Sequence, residues 1–314
     1  MRLGVIDIGS NTVHLLVMDA RPGARPVPQA SHKTTVRLMR FLQEDGAISD
    51  EGVAALCQAV EDAAGVGREH GVDDTMALAT SAVREARNGA EVLAELERRA
   101  GVPIEVLGGS EEAELTFLAA RRWYGWGAGR LLLLDIGGGS LEIATGLDET
   151  PDVALSVPLG AGRTTKEFLL PEDPPRPEDV ERLRRHVRAV LADAVGPVLD
   201  APTPDHVVAT SKTFRSLARL AGLPRQVLGT GERWRMRQDH LADWQPRLAR
   251  LASTDRTVLP GIGVNRALQI VAGAVVAQEA MRALGVEEVE ICPWALREGA
   301  VLQRLDRLRS GVGA

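Results

Sequence analysis

A short pattern that occurs twice constrains this chain more than any other feature. LeuGlyValIleAspIleGlySerAsnThrValHisLeuLeu at residues 3–16 aligns with LeuLeuLeuLeuAspIleGlyGlyGlySerLeuGluIleAla at residues 131–144. The alignment pairs Asp7 with Asp135, Gly9 with Gly137, Thr12 with Ser140 and His14 with Glu142. Each copy reads as strand, tight glycine turn, strand. Stacked arrays repeat every ~20–50 residues, so two copies this far apart indicate duplicated domains. A length of 314 residues agrees, because it exceeds what one hydrophobic core usually serves. The glycine-rich stretch Gly125–Gly129 is the expected boundary, giving an N-terminal domain over 1–125 and a C-terminal domain over 126–314. The terminal helix is free to pack back on the first domain.

The rest of the chain alternates strand and helix signals. Apolar runs at 3–7, 13–18, 76–79, 104–107 and 131–134 read as strands, and helical spacing follows Ser49, spans 90–100 and runs from a cap at Ser110 to Tyr124. The later half offers a proline-rich loop at 171–177 and an amphipathic helix through Val180, Leu183, Val187 and Leu191. Beyond it lie a strand at 206–210, a helix through Leu220, a mostly helical stretch over 235–253, a helix over 265–284, a strand at 289–291 and a terminal helix. The class is α/β.

Composition narrows the function classes. The net charge is −6, and the few aromatic residues do not interleave with basic ones, which argues against nucleic-acid binding. No apolar run approaches the ~18 residues of a membrane span. The opening residues lack the basic and apolar segments of a secretory signal, so a cytoplasmic location is expected. Cys57 and Cys292 stand apart from any metal-type cluster and read as core residues.

Gly/Ser/Thr turns offer backbone N–H groups unobstructed by Cβ atoms, with hydroxyls beside them, and this is what a phosphate requires. The two turns, Ser10, Asn11 and Thr12 in one and Gly137, Gly138, Gly139 and Ser140 in the other, are therefore the candidate phosphate clamp. Asp7 and Asp135 at the turn entrances, with Glu142, supply hard oxygens for magnesium. A plain hairpin turn with Asp bonded to its own backbone is the bland alternative, which duplication disfavours. In Ser110GluGluAlaGlu, either Glu111 or Glu112 could cap the helix or act as a general base, and spacing does not choose between them. Arg84, Arg163 and Lys212 are candidate phosphate contacts, or else solvated surface charges. No GxxxxGK[ST], HExxH or GxSxG motif is present.

AspIleGlySerAsnThr (7–12), AlaThrSerAlaValArg (79–84), GlyGlySerGluGluAla (108–113), AspIleGlyGlyGlySerLeuGlu (135–142) and LeuArgGluGly (296–299) stand in the order of one family. The chain resembles the exopolyphosphatase and guanosine pentaphosphate phosphohydrolase (Ppx/GppA) family, and specifically a short actinobacterial-type exopolyphosphatase. The resemblance implies two duplicated ribonuclease-H-like domains of the actin-like ATPase superfamily with an interdomain cleft. It also implies magnesium-assisted hydrolysis of the terminal phosphoanhydride of inorganic polyphosphate, with room for a homodimer. By the same resemblance Glu112 is the water-activating base, Asp135 and Glu142 assist metal and water, and Arg84 binds phosphate. Two positions depart from the pattern: Thr210SerLysThr replaces a Gly-Gly-Thr stretch, and Leu268 replaces an acidic residue. The competing expectations are guanosine pentaphosphate hydrolysis and an actin-like ATP-binding module.

Overall fold

The computed structural model describes residues 1–21, 23–227 and 231–309. The chain divides into two compact units: Met1–Ala119 together with the chain from Leu296 onward, and Ala120–Ala295.

The first unit is built on a five-stranded sheet of β1 (Arg2–Ile8), β2 (Thr12–Asp19), β3 (Val27–Thr35), β4 (Asp74–Ala79) and β5 (Ile104–Val106), in the order β3-β2-β1-β4-β5. Side chains alternate across a strand, and the sequence uses both faces. Ile6, Ile8, Val13, Leu15 and Val17 enter one core, with Leu56, Val60 and Ala63 of helix Asp50–Glu69 and Val92 and Leu96 of helix Gly89–Ala100. Leu3, Val5, Leu16 and Met18 enter the opposite core, with Leu115, Ala300, Val301 and Leu305. The last three lie on the terminal helix Leu296–Arg309, which covers that face. Asp7 and His14 continue the period-two series of Leu3, Val5 and of Leu16, Met18, so they lie on the face that the terminal helix covers.

Ser49 caps helix Asp50–Glu69, accepting from Gly52 N–H at 3.3 Å, a cap that contributes ~1 kcal/mol. Helix Gly109–Tyr124 begins one residue before the cap expected from sequence. Its start is closed instead by the Glu111 carboxylate, which accepts from the Gly108 N–H at 2.6 Å.

The second unit carries a seven-stranded sheet of β6 (Leu131–Ile136), β7 (Leu141–Gly146), β8 (Val153–Val157), β9 (His206–Thr210), β10 (Leu223–Val227), β11 (Gly231–Arg237) and β12 (Glu288–Ile291), in the order β10-β11-β12-β9-β6-β7-β8. Leu132, Leu134, Ile136, Leu141 and Ile143 face a core completed by helices Pro177–Ala194, Ser211–Ala221 and Ile270–Ala283. Leu131, Leu133, Asp135 and Glu142 have the opposite parity. Buried Arg121 donates to the Gly125, Gly129 and Leu147 carbonyls, which ties down the glycine-rich stretch.

The repeat is visible in the pairing. β1 pairs antiparallel with β2 and parallel with β4, and β6 pairs antiparallel with β7 and parallel with β9. Asp7 lies opposite His14, and Asp135 opposite Glu142. The duplication also extends further than the sequence pattern showed. Ala79-Thr80-Ser81 and Ala209-Thr210-Ser211 occupy equivalent strand ends, each turning into a helix after an extended threonine. The structure differs from the sequence expectation in four places: β3, β8 and the antiparallel pair β10 and β11 were not anticipated, and the expected helix over 265–284 is two helices, Val264–Ala267 and Ile270–Ala283. β3 alternates between exposed and half-exposed residues and therefore has no apolar run to announce it.

Candidate active site

The first turn closes with a hydrogen bond from Gly9 N–H to the Thr12 carbonyl at 3.0 Å, and the second with one from Gly137 N–H to the Ser140 carbonyl at 2.9 Å. Both turns are braced through their carbonyls. Leu38 N–H donates to the Ser10 carbonyl at 2.8 Å, while Val36 and Arg37 N–H both donate to that of Asn11. Arg37 has the left-handed backbone (φ 55), an uncommon conformation for a side-chain-bearing residue, and it lies directly against the turn.

In the second unit Ala161 N–H donates to the Gly137 carbonyl, Gly162 and Arg163 N–H to that of Gly138, and Gly160 N–H to that of Gly139. A Cβ on Gly160 would lie 2.3–2.4 Å from atoms of Gly138 and Gly139, so only glycine permits this approach. With the carbonyls engaged, the Gly138 and Gly139 N–H groups donate no backbone hydrogen bond among the described residues. That is the arrangement of an anion-binding turn.

Around the second turn, Asp135 and Glu142 are direct cross-strand partners, and such pairs hold their Cβ atoms ~4.5–5.5 Å apart. Glu142 is buried, and its Oε1 accepts from Ser156 Oγ of β8 at 2.9 Å. Thr210 lies in register with Asp135 on the other side. Two carboxylates on adjacent strands supply hard oxygens of the kind a divalent cation accepts. No cluster of three or more His, Cys, Asp or Glu arranged to hold a metal occurs among the described residues.

A basic group gathers in the same unit. Lys212 is the second residue of helix Ser211–Ala221, and its ammonium is pushed below the usual lysine range by partial burial and by Arg215, Arg266 and Arg219. Burial and Arg215 push the Arg266 guanidinium down to about 10, with Asp135 opposing. Clustered, partly desolvated cations are what an anionic ligand neutralises. Ser211 has φ 93, the region glycine favours, at the position where the family pattern expects a glycine-rich stretch. Arg163, expected to contact phosphate, places its Nε on the Gly139 carbonyl at 2.8 Å and so braces the turn. Leu268 borders a small cavity lined by apolar Leu169 and Val271 and also by Glu172, Asp173 and Arg256.

In the first unit Arg84 donates from Nη1 to Glu112 Oε1 at 2.7 Å, and to the Leu107 carbonyl. Glu112 is buried while Glu111 is exposed, so the two neighbouring carboxylates have different surroundings: Glu111 closes the helix start and Glu112 faces a guanidinium. The short helix Ser81–Arg84 that carries Arg84 starts where Thr80 N–H meets the Ile8 carbonyl at 3.2 Å. Asp7 is engaged by Arg297, whose Nη1 lies 3.4 Å from Oδ2 and also contacts His14 Nδ1. Burial pushes the Asp7 carboxyl up, against the pull of Arg297 and Lys33.

Sequence reasoning gave no role to Arg297, Arg266 or Ser156. The first two stand in or beside motifs already singled out, LeuArgGluGly and the Arg-Ala-Leu of 266–268. Ser156 carries no sequence signal.

The profile of the Ppx/GppA phosphatase family matches residues 16–308. Exopolyphosphatase 1 of Mycobacterium bovis is 50% identical over 312 residues, spanning 99% of this chain and 90% of that protein. Exopolyphosphatase 2 of Mycobacterium tuberculosis is 30% identical over 317 residues, spanning 96% and 98%. Among solved structures, an exopolyphosphatase from Cytophaga hutchinsonii superposes with a TM-score of 0.84 at 24% identity over 98% of each chain. The Aquifex aeolicus Ppx/GppA family member does so with a TM-score of 0.77 at 22% identity, over 100% of this chain and 99% of that one. The fold is the duplicated, actin-like α/β fold of these neighbours, and the chain belongs to the Ppx/GppA phosphatase family.

Proposed function

We propose that this protein is an exopolyphosphatase, which releases orthophosphate from the end of inorganic polyphosphate. One observation carries the reading: two glycine turns with the same closing hydrogen bond, in a chain half identical to proteins named Exopolyphosphatase 1. Polyphosphate offers a run of anionic oxygens and no base or sugar, and the groups gathered here are turn N–H groups, hydroxyls, lysine and arginines.

In this reading the N–H groups of Gly138 and Gly139 and the hydroxyls of Ser10, Thr12 and Ser140 bind phosphate oxygens. Asp135 and Glu142 would hold a divalent cation, magnesium being the candidate, which when bound neutralises phosphate charge as the anhydride breaks. Glu112 accepts the proton of the attacking water. Arg84 holds the Glu112 carboxylate turned to one side, and offers its remaining N–H groups to phosphate. Lys212, Arg215 and Arg266 neutralise the phosphates further along the chain. The same reading places the protein in the cytoplasm and away from nucleic acid, consistent with its net charge of −6. No helix among the described residues is long and apolar enough to cross a membrane.

The test is orthophosphate release from short polyphosphate, long polyphosphate, guanosine pentaphosphate and ATP, each with magnesium and with excess chelator. Polyphosphate should be the preferred substrate and chelator should stop its turnover. Preference for guanosine pentaphosphate or ATP, or full activity in chelator, would count against the reading.

A further inference from the structure

The two turns share a backbone but not a counter-charge. Behind the second turn stand two carboxylates, Asp135 and Glu142. In the first, the position of Glu142 is taken by His14, and a guanidinium has been added. Arg297, second residue of the terminal helix, reaches the sheet face of Asp7 and His14, placing Nη1 3.4 Å from Asp7 Oδ2 and against His14 Nδ1. Arginine can only donate, so His14 Nδ1 accepts and the ring proton belongs on Nε2. Lys33 lies opposite His14 on β3 and adds a second cation on this side.

This arrangement leaves Asp7 poorly suited to a metal ion. Magnesium demands near-octahedral oxygen ligation, and a guanidinium already stands at one oxygen of this carboxylate. Without its cation, Asp7 would also present a negative charge to any phosphate held at Ser10–Thr12. Resting on the exopolyphosphatase reading, we infer that Arg297 is a positioning residue serving Asp7 as a permanent counter-cation, so that the first turn receives phosphate with no metal at Asp7. The first turn then carries its cations in the chain, Arg297 and Lys33 against the carboxylates of Asp7 and nearby Glu298, whereas the second acquires its cation as an ion.

The inference makes an unusual demand: removing a second group should repair the loss of the first. Arg297→Gln strips the Asp7 carboxylate of its guanidinium, leaving only Lys33 on this side, and should raise KM for polyphosphate by about tenfold, with a smaller change in kcat. Adding Asp7→Asn removes the orphaned charge and should recover most of that rise. Manganese binding without substrate, followed by electron paramagnetic resonance, supplies a readout independent of turnover. Asp7→Asn should keep the wild-type Kd within about twofold, while Asp135→Asn should raise it about tenfold or more. A double variant no better than Arg297→Gln, or an Asp7→Asn protein that loses manganese as Asp135→Asn does, would overturn the inference. If Arg297→Gln does not fold, the manganese titration of Asp7→Asn decides alone. Wild-type protein that releases no phosphate from polyphosphate would refute the proposed function, and the manganese comparison would still judge the role of Asp7.

Discussion

The two glycine turns descend from one pattern and differ in what stands behind them. Each is a strand, a turn closed by the same backbone hydrogen bond, and a returning strand, and each has its carbonyls tied down by a neighbouring segment. Behind the first, a basic group is built into the fold: Arg297 on Asp7 and His14. Behind the second, two carboxylates face each other across the strands. Duplication thus kept the backbone geometry and let the charge diverge, and in the proposed reading one turn receives a bare anion while the other receives a cation. The helix Gly109–Tyr124 shows the same division at the scale of adjacent residues, with Glu111 given to the helix end and Glu112 to Arg84.

Substitutions can break this comparison at several depths. The largest expected effect is that of Glu112→Gln, which preserves size but not basicity. Turnover of polyphosphate should fall by about 10²–10⁴-fold with substrate binding retained, as single-turnover kinetics and equilibrium binding would show. A variant with near-wild-type kcat would remove Glu112 from the chemistry. Next come Asp135→Asn and Glu142→Gln, which strip the second turn of its distinguishing charge. The magnesium concentration for half-maximal rate should rise about tenfold or more in each, with part of the lost activity returning at high magnesium. An unchanged magnesium dependence would make the two turns equivalent after all.

How much of this was legible beforehand depended on the range of the interaction involved. The facing of Asp135 and Glu142 could be read from the repeat, because a strand-turn-strand pattern fixes its own register. The difference between Glu111 and Glu112 could not be reached by spacing, since it depends on the helix starting at Gly109 rather than after Ser110. Arg297 lies 290 residues from Asp7 in sequence, and only the packing of Val301 and Leu305 on the Leu3 and Val5 face brings them together. Periodicity says that a helix has an apolar face but not which sheet will receive it. The basic group around Lys212 was half visible: Lys212 and Arg215 share a motif, while Arg266 joins them only through the fold.

Smaller effects sharpen the comparison. Lys212→Ala should raise KM for polyphosphate severalfold at low salt, and the difference from wild type should shrink as ionic strength rises, because partly exposed charges are screened. A salt-independent change would indicate a packing role instead. The smallest effect is expected of Glu111→Gln. It should cost ~0.5–1 kcal/mol of stability through its weakened contact at the helix start, visible in denaturant unfolding, and leave kcat within about twofold. A crippled Glu111→Gln beside an active Glu112→Gln would exchange the roles given to the two carboxylates.

The chemistry itself is tested most directly by hydrolysis of a polyphosphate of defined length in ¹⁸O-water, with the products resolved by chain length and mass. Water delivered to the terminal phosphorus should yield orthophosphate that carries a single ¹⁸O from the first turnover, while the remaining chain stays unlabelled and shortens from its end. Unlabelled orthophosphate with ¹⁸O retained on the chain, or fragments from the middle of the chain, would contradict a site that opens the terminal phosphoanhydride.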